Sequence, residues 1–159
     1  MKTTPLKLPL HCYDEAGRIT PPRWLAVVFV FCLADWLILI FSLTMRDKTS
    51  FLLSLFYPSR IELAVSLLCA LPALLSLILA SQRERLWKRE HLRWSYWVVP
   101  LLIFSLLSQI ALQLWYLSSH HWQFQFVIAA RLLVCIVSCY AVVKSRHLRW
   151  MISDWLLKP

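Results

Sequence analysis

Asp35, Gln109, Gln113 and Arg131 stand out because each lies inside a long apolar run. An uncompensated charge at the centre of a bilayer costs roughly 2.5–3.5 kcal/mol on insertion scales, so a carboxylate and a guanidinium there must face each other, a polar cavity or the bundle interior. Ser105, Gln109 and Gln113 recur every four residues and therefore share one helix face. Measured from the outer ends of their runs, Asp35 lies about 15 Å deep, Gln109 about 12 Å and Arg131 about 10 Å, at 1.5 Å per residue. A long arginine stem bridges the difference by snorkelling. These residue types fit two readings. In one, Asp35 and Arg131 neutralise each other while the glutamines bond across helices and fix the bundle's register. In the other, the cluster lines an outward-opening polar cavity for an ion, a proton or a small solute.

The remaining candidates for chemistry are weak. His120 and His121 are adjacent, so on a helix they face apart, and no third ligand is spaced to complete a metal site. The chain has five cysteines and no CxxC pair; four of them, Cys32, Cys69, Cys135 and Cys139, fall in apolar runs where a thiol behaves as a small hydrophobe. The absence of cysteine pairs from the outer loops counts against a quinone-linked thiol oxidase. No Ser/His/Asp arrangement, catalytic carboxylate pair or phosphate-cradling glycine loop is identifiable, so no enzyme, metal or cofactor is expected.

Helices inside a membrane must position these residues. Hydrophobic residues make up 60% of the chain and charged residues 16%, against roughly 45–50% and 25% in soluble domains. The apolar residues come in four blocks, Trp24 to Met45, Ile61 to Ala80, Trp97 to Leu117 and Phe124 to Val143. Each block is about 30–33 Å long as a helix, the thickness of a hydrocarbon core, and backbone groups in lipid must be satisfied within the segment. The pattern predicts an all-α membrane protein, a four-helix transmembrane bundle with a short C-terminal interfacial amphipathic helix.

The basic residues orient it. Of the 17 Lys and Arg, Arg131 alone lies within a block. Segment 1–23 carries Lys2, Lys7, Arg18 and Arg23; the second linker carries Arg83, Arg85, Lys88, Arg89 and Arg93; segment 144–159 carries Lys144, Arg146, Arg149 and Lys158. The first linker has only Arg46, Lys48 and Arg60, and the third has none. This asymmetry predicts cytoplasmic N- and C-terminal segments around a multi-pass domain. It also accounts for the net charge of +9 without nucleic acid as a partner. Trp24, Trp94, Trp97, Trp115, Tyr116 and Trp122 sit at block ends, as interfacial anchors do. No cleavable signal is expected, because the first block runs too long for a signal h-region.

Several flanking stretches are also patterned. Leu148, Met151, Ile152, Trp155 and Leu156 recur at helical spacing opposite Arg149 and Asp154, which predicts an amphipathic helix on the inner membrane surface. The stretch "QRERLWKREHLRW" reads as a basic helical hairpin able to attract anionic lipid, and "SFLLSLFYPSR" as an outer segment too short to span. Glu62, Ser66, Cys69, Ala73 and Ser76 form a seam of small or polar residues on the second span, suited to close helix contact. The single glycine, Gly17, lies outside every block, and only Pro72 and Pro100 interrupt the spans. These absences lower the case for a transporter built on broken helices.

The N-terminal string "LPLHCYDEAGRITPPRWL" carries a family signature. Leu8-Pro9, Tyr13-Asp14, Gly17 and Pro21-Pro22, followed by Ser42-Leu43 with Arg46, "FYP" at 56–58, "PAL" at 72–74 and Asp154-Trp155, resemble the YfeZ-like family of bacterial inner-membrane proteins. The resemblance follows the chain in order over most of its length. It implies a bacterial inner (cytoplasmic) membrane location and transfers no substrate, cofactor or catalytic residue. Within the signature, Gly17 permits a tight turn and Pro21-Pro22 forces an extended approach to the first helix. Tyr13 and Asp14 would then pack on the inner loops as a structured cap, the alternative being a segment that merely ends a flexible tail.

The expected role is a non-enzymatic accessory or scaffold protein embedded in membrane lipid, acting through another membrane protein or a homo-oligomer. A small transporter or channel using Asp35, Gln109, Gln113 and Arg131 is the alternative. A membrane enzyme acting on lipid or quinone comes third.

Overall fold

A computed structural model describes residues 19–44, 57, 59–82, 85, 94–119 and 126–155. They form six helices: α1 (Arg23–Cys32), α2 (Ala34–Thr44), α3 (Arg60–Ser81), α4 (Ser95–Ser119), α5 (Phe126–Lys144) and α6 (Arg146–Trp155). By length and composition α3 and α4 can each cross a membrane, and the count reaches four if each bent pair, α1 with α2 and α5 with α6, is one span. The outward faces carry Val27, Phe41, Leu68, Phe104, Leu133 and Val137, all more than half exposed. Apolar surface on this scale on every long helix suits lipid as the solvent. Tyr13, Asp14, Gly17, Cys12, His120, His121, most of the basic linker and most of the outer segment lie outside the described residues.

Three helix starts have a local cause. Pro22 is the N-cap of α1, extended at φ −65° and ψ 142°, and its carbonyl accepts from the Leu25 N–H at 2.9 Å. Pro21 and Pro22 thus set the approach to α1 that a fixed proline φ requires. Ser59 caps α3, its hydroxyl accepting from the Glu62 N–H at 3.2 Å. Ser145 lies in the bend between α5 and α6; its N–H donates to the Ala141 carbonyl at 3.0 Å and its hydroxyl accepts from the Leu148 N–H at 3.3 Å.

The most extensive packing joins α3 to α4, followed by α4 to α5, so α4 is the central helix. The α3 seam buries Ser66, Ala70, Ala73 and Ser76, with Cys69 and Glu62 half-buried at its edge. Small side chains let the two backbones approach closely enough for serines to bond across. Ser76 donates to the Val98 carbonyl at 2.6 Å, and Ser105 and Ser108 donate to the Cys69 carbonyl at 2.9 and 3.3 Å. Pro72 removes the N–H that would meet the Leu68 carbonyl, and the Ser105 and Ser108 hydroxyls bond the adjacent Cys69 carbonyl.

Two features correct the sequence expectation. The first block, 24–45, is not one continuous helix: it breaks at Leu33, which sits at φ −98° and ψ 7°, and α1 and α2 meet at 60°. Neither glycine nor proline causes the break. Gln109 Nε2 from α4 donates to the Cys32 carbonyl at 3.0 Å, and a side chain bonding into the backbone ladder is an established origin of sharp kinks. The second correction concerns α6. Its apolar residues Leu148, Met151 and Trp155 are buried in the protein's own core instead of facing lipid.

What covers α6 is the approach to α1. The Ile19 N–H donates to Asp154 Oδ2 at 3.1 Å, Trp155 Nε1 donates to the Ile19 carbonyl at 3.0 Å, and His147 Nε2 meets the Thr20 carbonyl at 3.0 Å. Trp94, at the start of α4, packs on Trp155 with ring centroids 5.4 Å apart. A 55° bend after α5 is what turns α6 under the bundle to make these contacts.

Candidate functional site

The polar residues inside the helices form two layers. In the first, Cys32, Gln109 and Cys135 meet: Gln109 Nε2 donates to the Cys32 carbonyl, and the Cys135 thiol lies 3.7 Å from Gln109 Oε1. The second layer is one helical turn away, about 5.4 Å. Asp35 lies three residues beyond Cys32, Gln113 four beyond Gln109, and Arg131 four before Cys135 on the returning helix. Gln113 Nε2 contacts Cys135 Sγ at 3.8 Å, which ties the layers together.

Asp35 is 0% exposed and forms an ion pair with Arg131, whose side chain is 28% exposed. The Tyr57 hydroxyl donates to the same carboxylate oxygen, Oδ1. Asp35 stands in the first turn of α2, where the helix dipole favours a carboxylate. One anion is thus held by a cation, a phenol and a helix end. Asp35 Oδ2 and Gln113 Oε1 are buried with no hydrogen-bond partner among the described residues.

Sequence reasoning named Asp35, Gln109, Gln113 and Arg131, and the structure brings all four into this double layer. Of the N-terminal motif, Pro21 and Pro22 lead into α1 on the far side of the Leu33 break from Asp35. Tyr57, Cys135 and the Cys32 carbonyl were missed. The i, i+4 spacing of Arg131 and Cys135 was a usable signal for Cys135. For Tyr57 the signal was its place in a short apolar outer segment that had to cover something. Nothing in the sequence marks the Cys32 carbonyl, which is backbone. Among the described residues no group of three or more His, Cys, Asp or Glu could hold a metal ion.

Tyr57 supplies a pH test. Burial, reinforced by its hydrogen bond to Asp35 and that carboxylate's charge, pushes the Tyr57 phenol from 10.0 up to about 12. A group whose folded pKa is raised contributes stability that is complete below its unfolded pKa and lost as pH climbs through the folded one. The stabilisation should therefore hold to about pH 10 and disappear toward about pH 12. At neutral pH Tyr57→Phe should cost about 1.5–3 kcal/mol, the range for a hydrogen bond to a charged group. Melting curves of detergent-solubilised protein should show the gap between native and Tyr57→Phe closing across that alkaline window. A gap that stays constant with pH would show that the phenol is not a donor to Asp35.

Comparison with known proteins gives one curated relative. The chain is 28% identical over 118 residues to "Inner membrane protein YfeZ" of Escherichia coli (strain K12), covering 72% of this chain and 70% of the relative. No solved structure matches it. The match to the family described as "Protein of unknown function (DUF2919)" spans residues 8–154, from the start of the N-terminal signature to the Asp154 that receives the Ile19 N–H, and the chain belongs to that family.

Proposed function

We propose that this protein is a four-pass inner-membrane protein with both termini in the cytoplasm, acting as a non-enzymatic accessory or scaffold subunit. Its partner would be another membrane protein or further copies of the same chain. The observation that carries this reading is where the intramembrane polar groups go. Arg131 and Tyr57 engage Asp35, and Gln109 engages the Cys32 carbonyl, so the fold itself uses most of the polar capacity that a transport path would need. Four crossings follow if α1 and α2 form one bent span and α5, 19 residues or about 28 Å long, forms the last. The meeting of Ile19 with Trp155 at one end of the bundle favours an even number of crossings. The clustering of Lys and Arg favours the cytoplasm for that end.

The test is extraction of the tagged protein in mild detergent. A specific membrane protein or a defined oligomer should stay bound through purification; recovery as a lone monomer would count against the scaffold. The second reading, a small transporter, draws on Asp35 Oδ2 and Gln113 Oε1, the two buried acceptors that lack partners. It requires water access to Asp35 from outside, so cysteines introduced at Leu39 and Ser42 should react with a membrane-impermeant reagent. A bundle that protects both positions would remove this reading.

A further inference from the structure

Asp35 and Gln113 carry the buried side-chain acceptors that lack a partner among the described residues, Trp94 Nε1 being a buried donor in the same state. Asp35 is 0% and Gln113 6% exposed, and each turns an acceptor, Oδ2 and Oε1, to an environment with no donor among the described residues. Buried acceptors of this kind are rare in folded proteins, because each forfeits the hydrogen bonds it made to water. Asp35 pairs with Arg131, and Gln113 contacts Cys135 one turn farther along α5.

Charge and geometry narrow what belongs there. The Asp35–Arg131 pair is already neutral, so an added cation would leave a net positive charge deep in the bilayer, at the cost such charges carry there. An anion would meet two acceptor atoms. A proton on Asp35 would leave the Arg131 guanidinium without its counter-charge. An apolar occupant would leave both acceptors unsatisfied. The remaining class is a small uncharged molecule with two donors, and water is the smallest.

We infer that Asp35 Oδ2 and Gln113 Oε1 together bind a water molecule, which donates one hydrogen to each and completes the polar layer around the ion pair. Buried waters commonly make two to four such bonds, are costly to remove and act as part of the fold. This site stands whether the protein is a scaffold or a transporter, since it concerns how the layer is satisfied and not what passes through it.

Two measurements test it. Irradiated with X-rays in heavy-oxygen water, the folded native protein should take up label at Cys135 and Tyr57, the oxidisable side chains beside the site, because radicals form from bound water in place. Label at both positions should fall severalfold in Gln113→Met, which removes one of the water's two acceptors. The melting temperature separates a wet site from a dry one by sign. If the acceptors are bridged, Gln113→Met leaves Asp35 Oδ2 without its donor and the protein should melt several degrees lower. If they are dry, replacing an unsatisfied amide with an apolar side chain of similar length should leave the melting temperature unchanged or raise it. Unlabelled Cys135 and Tyr57 in the folded native protein, labelling that Gln113→Met does not alter, or a Gln113→Met protein at least as stable as the native one would each overturn the inference. The labelling arm on the native protein does not depend on how well the variant folds.

Discussion

Arg131→Leu should be far more damaging than Asp35→Leu, although each removes one half of the same ion pair. Without Arg131, the Asp35 carboxylate remains fully buried with the Tyr57 phenol and the start of α2 to stabilise it. Breaking a buried pair from one side costs about 3–5 kcal/mol, a large fraction of the roughly 5–15 kcal/mol that holds a typical protein folded. Without Asp35, the arginine side chain that remains is already 28% exposed and has a long flexible stem. It can turn toward the headgroups, so the cost falls below the roughly 2.5–3.5 kcal/mol assigned to an arginine held at the bilayer centre. Removing both, as Asp35→Leu with Arg131→Leu, should recover much of the loss, because an apolar replacement of a buried pair is often nearly neutral. The exchanged pair, Asp35→Arg with Arg131→Asp, should recover part of it, since Tyr57 loses its acceptor at position 35. The readout is the yield of monodisperse protein and its melting temperature in detergent. Equal damage from the two single variants would mean that Arg131 is as immobile as Asp35 and that the asymmetry argued from exposure is wrong.

Trp155→Ala should release both ends of the described chain at once. Trp155 is 5% exposed, packs on Trp94 and donates to the Ile19 carbonyl, so its removal opens a cavity and leaves a backbone acceptor without its donor. Truncations of buried tryptophan cost about 3–5 kcal/mol, and α6 is only 10 residues long, too short to persist as a helix without its packed face. In nanodiscs, where both membrane faces are accessible, limited proteolysis should cut near Ile19 and within α6 much faster in the variant, while α3 and α4 stay protected. Met151→Asp should have the same effect through a different residue, by placing a charge in the core beneath α6. Cysteines at Ile19 and Asp154 should crosslink in the native background and fail to do so in Trp155→Ala. If α6 instead docked on lipid, both variants would leave the N-terminal side protected.

Much of this organisation is legible in the chain. The positions of α3, α4 and α5 are fixed by where apolar blocks begin and end, because lipid tolerates only long self-satisfied helices. Helix α3 runs Arg60–Ser81 against an expected 61–80, and the small-residue seam faces α4 as its spacing requires. The four polar site residues were identifiable because a charge or amide inside an apolar run has few places to go. The amphipathic pattern of α6 was also readable.

The partners of these features were not. An amphipathic pattern states that one face must leave water and is silent on whether lipid or protein receives it; the Ile19–Thr20 stretch decided that for α6. The break at Leu33 has no breaker residue in its sequence; the side chain that bonds the backbone there is Gln109, far away along the chain on α4. Tyr57 reached Asp35 from a segment whose composition said only that it does not span. Solvent preference is local and additive along a chain, so the sequence by itself determined which stretches are apolar enough to enter lipid and which residues would have to hide there. A hydrogen bond needs two groups brought together from distant positions, so only the tertiary structure decided which donor meets which acceptor, and that pairing turns isolated polar residues into a site.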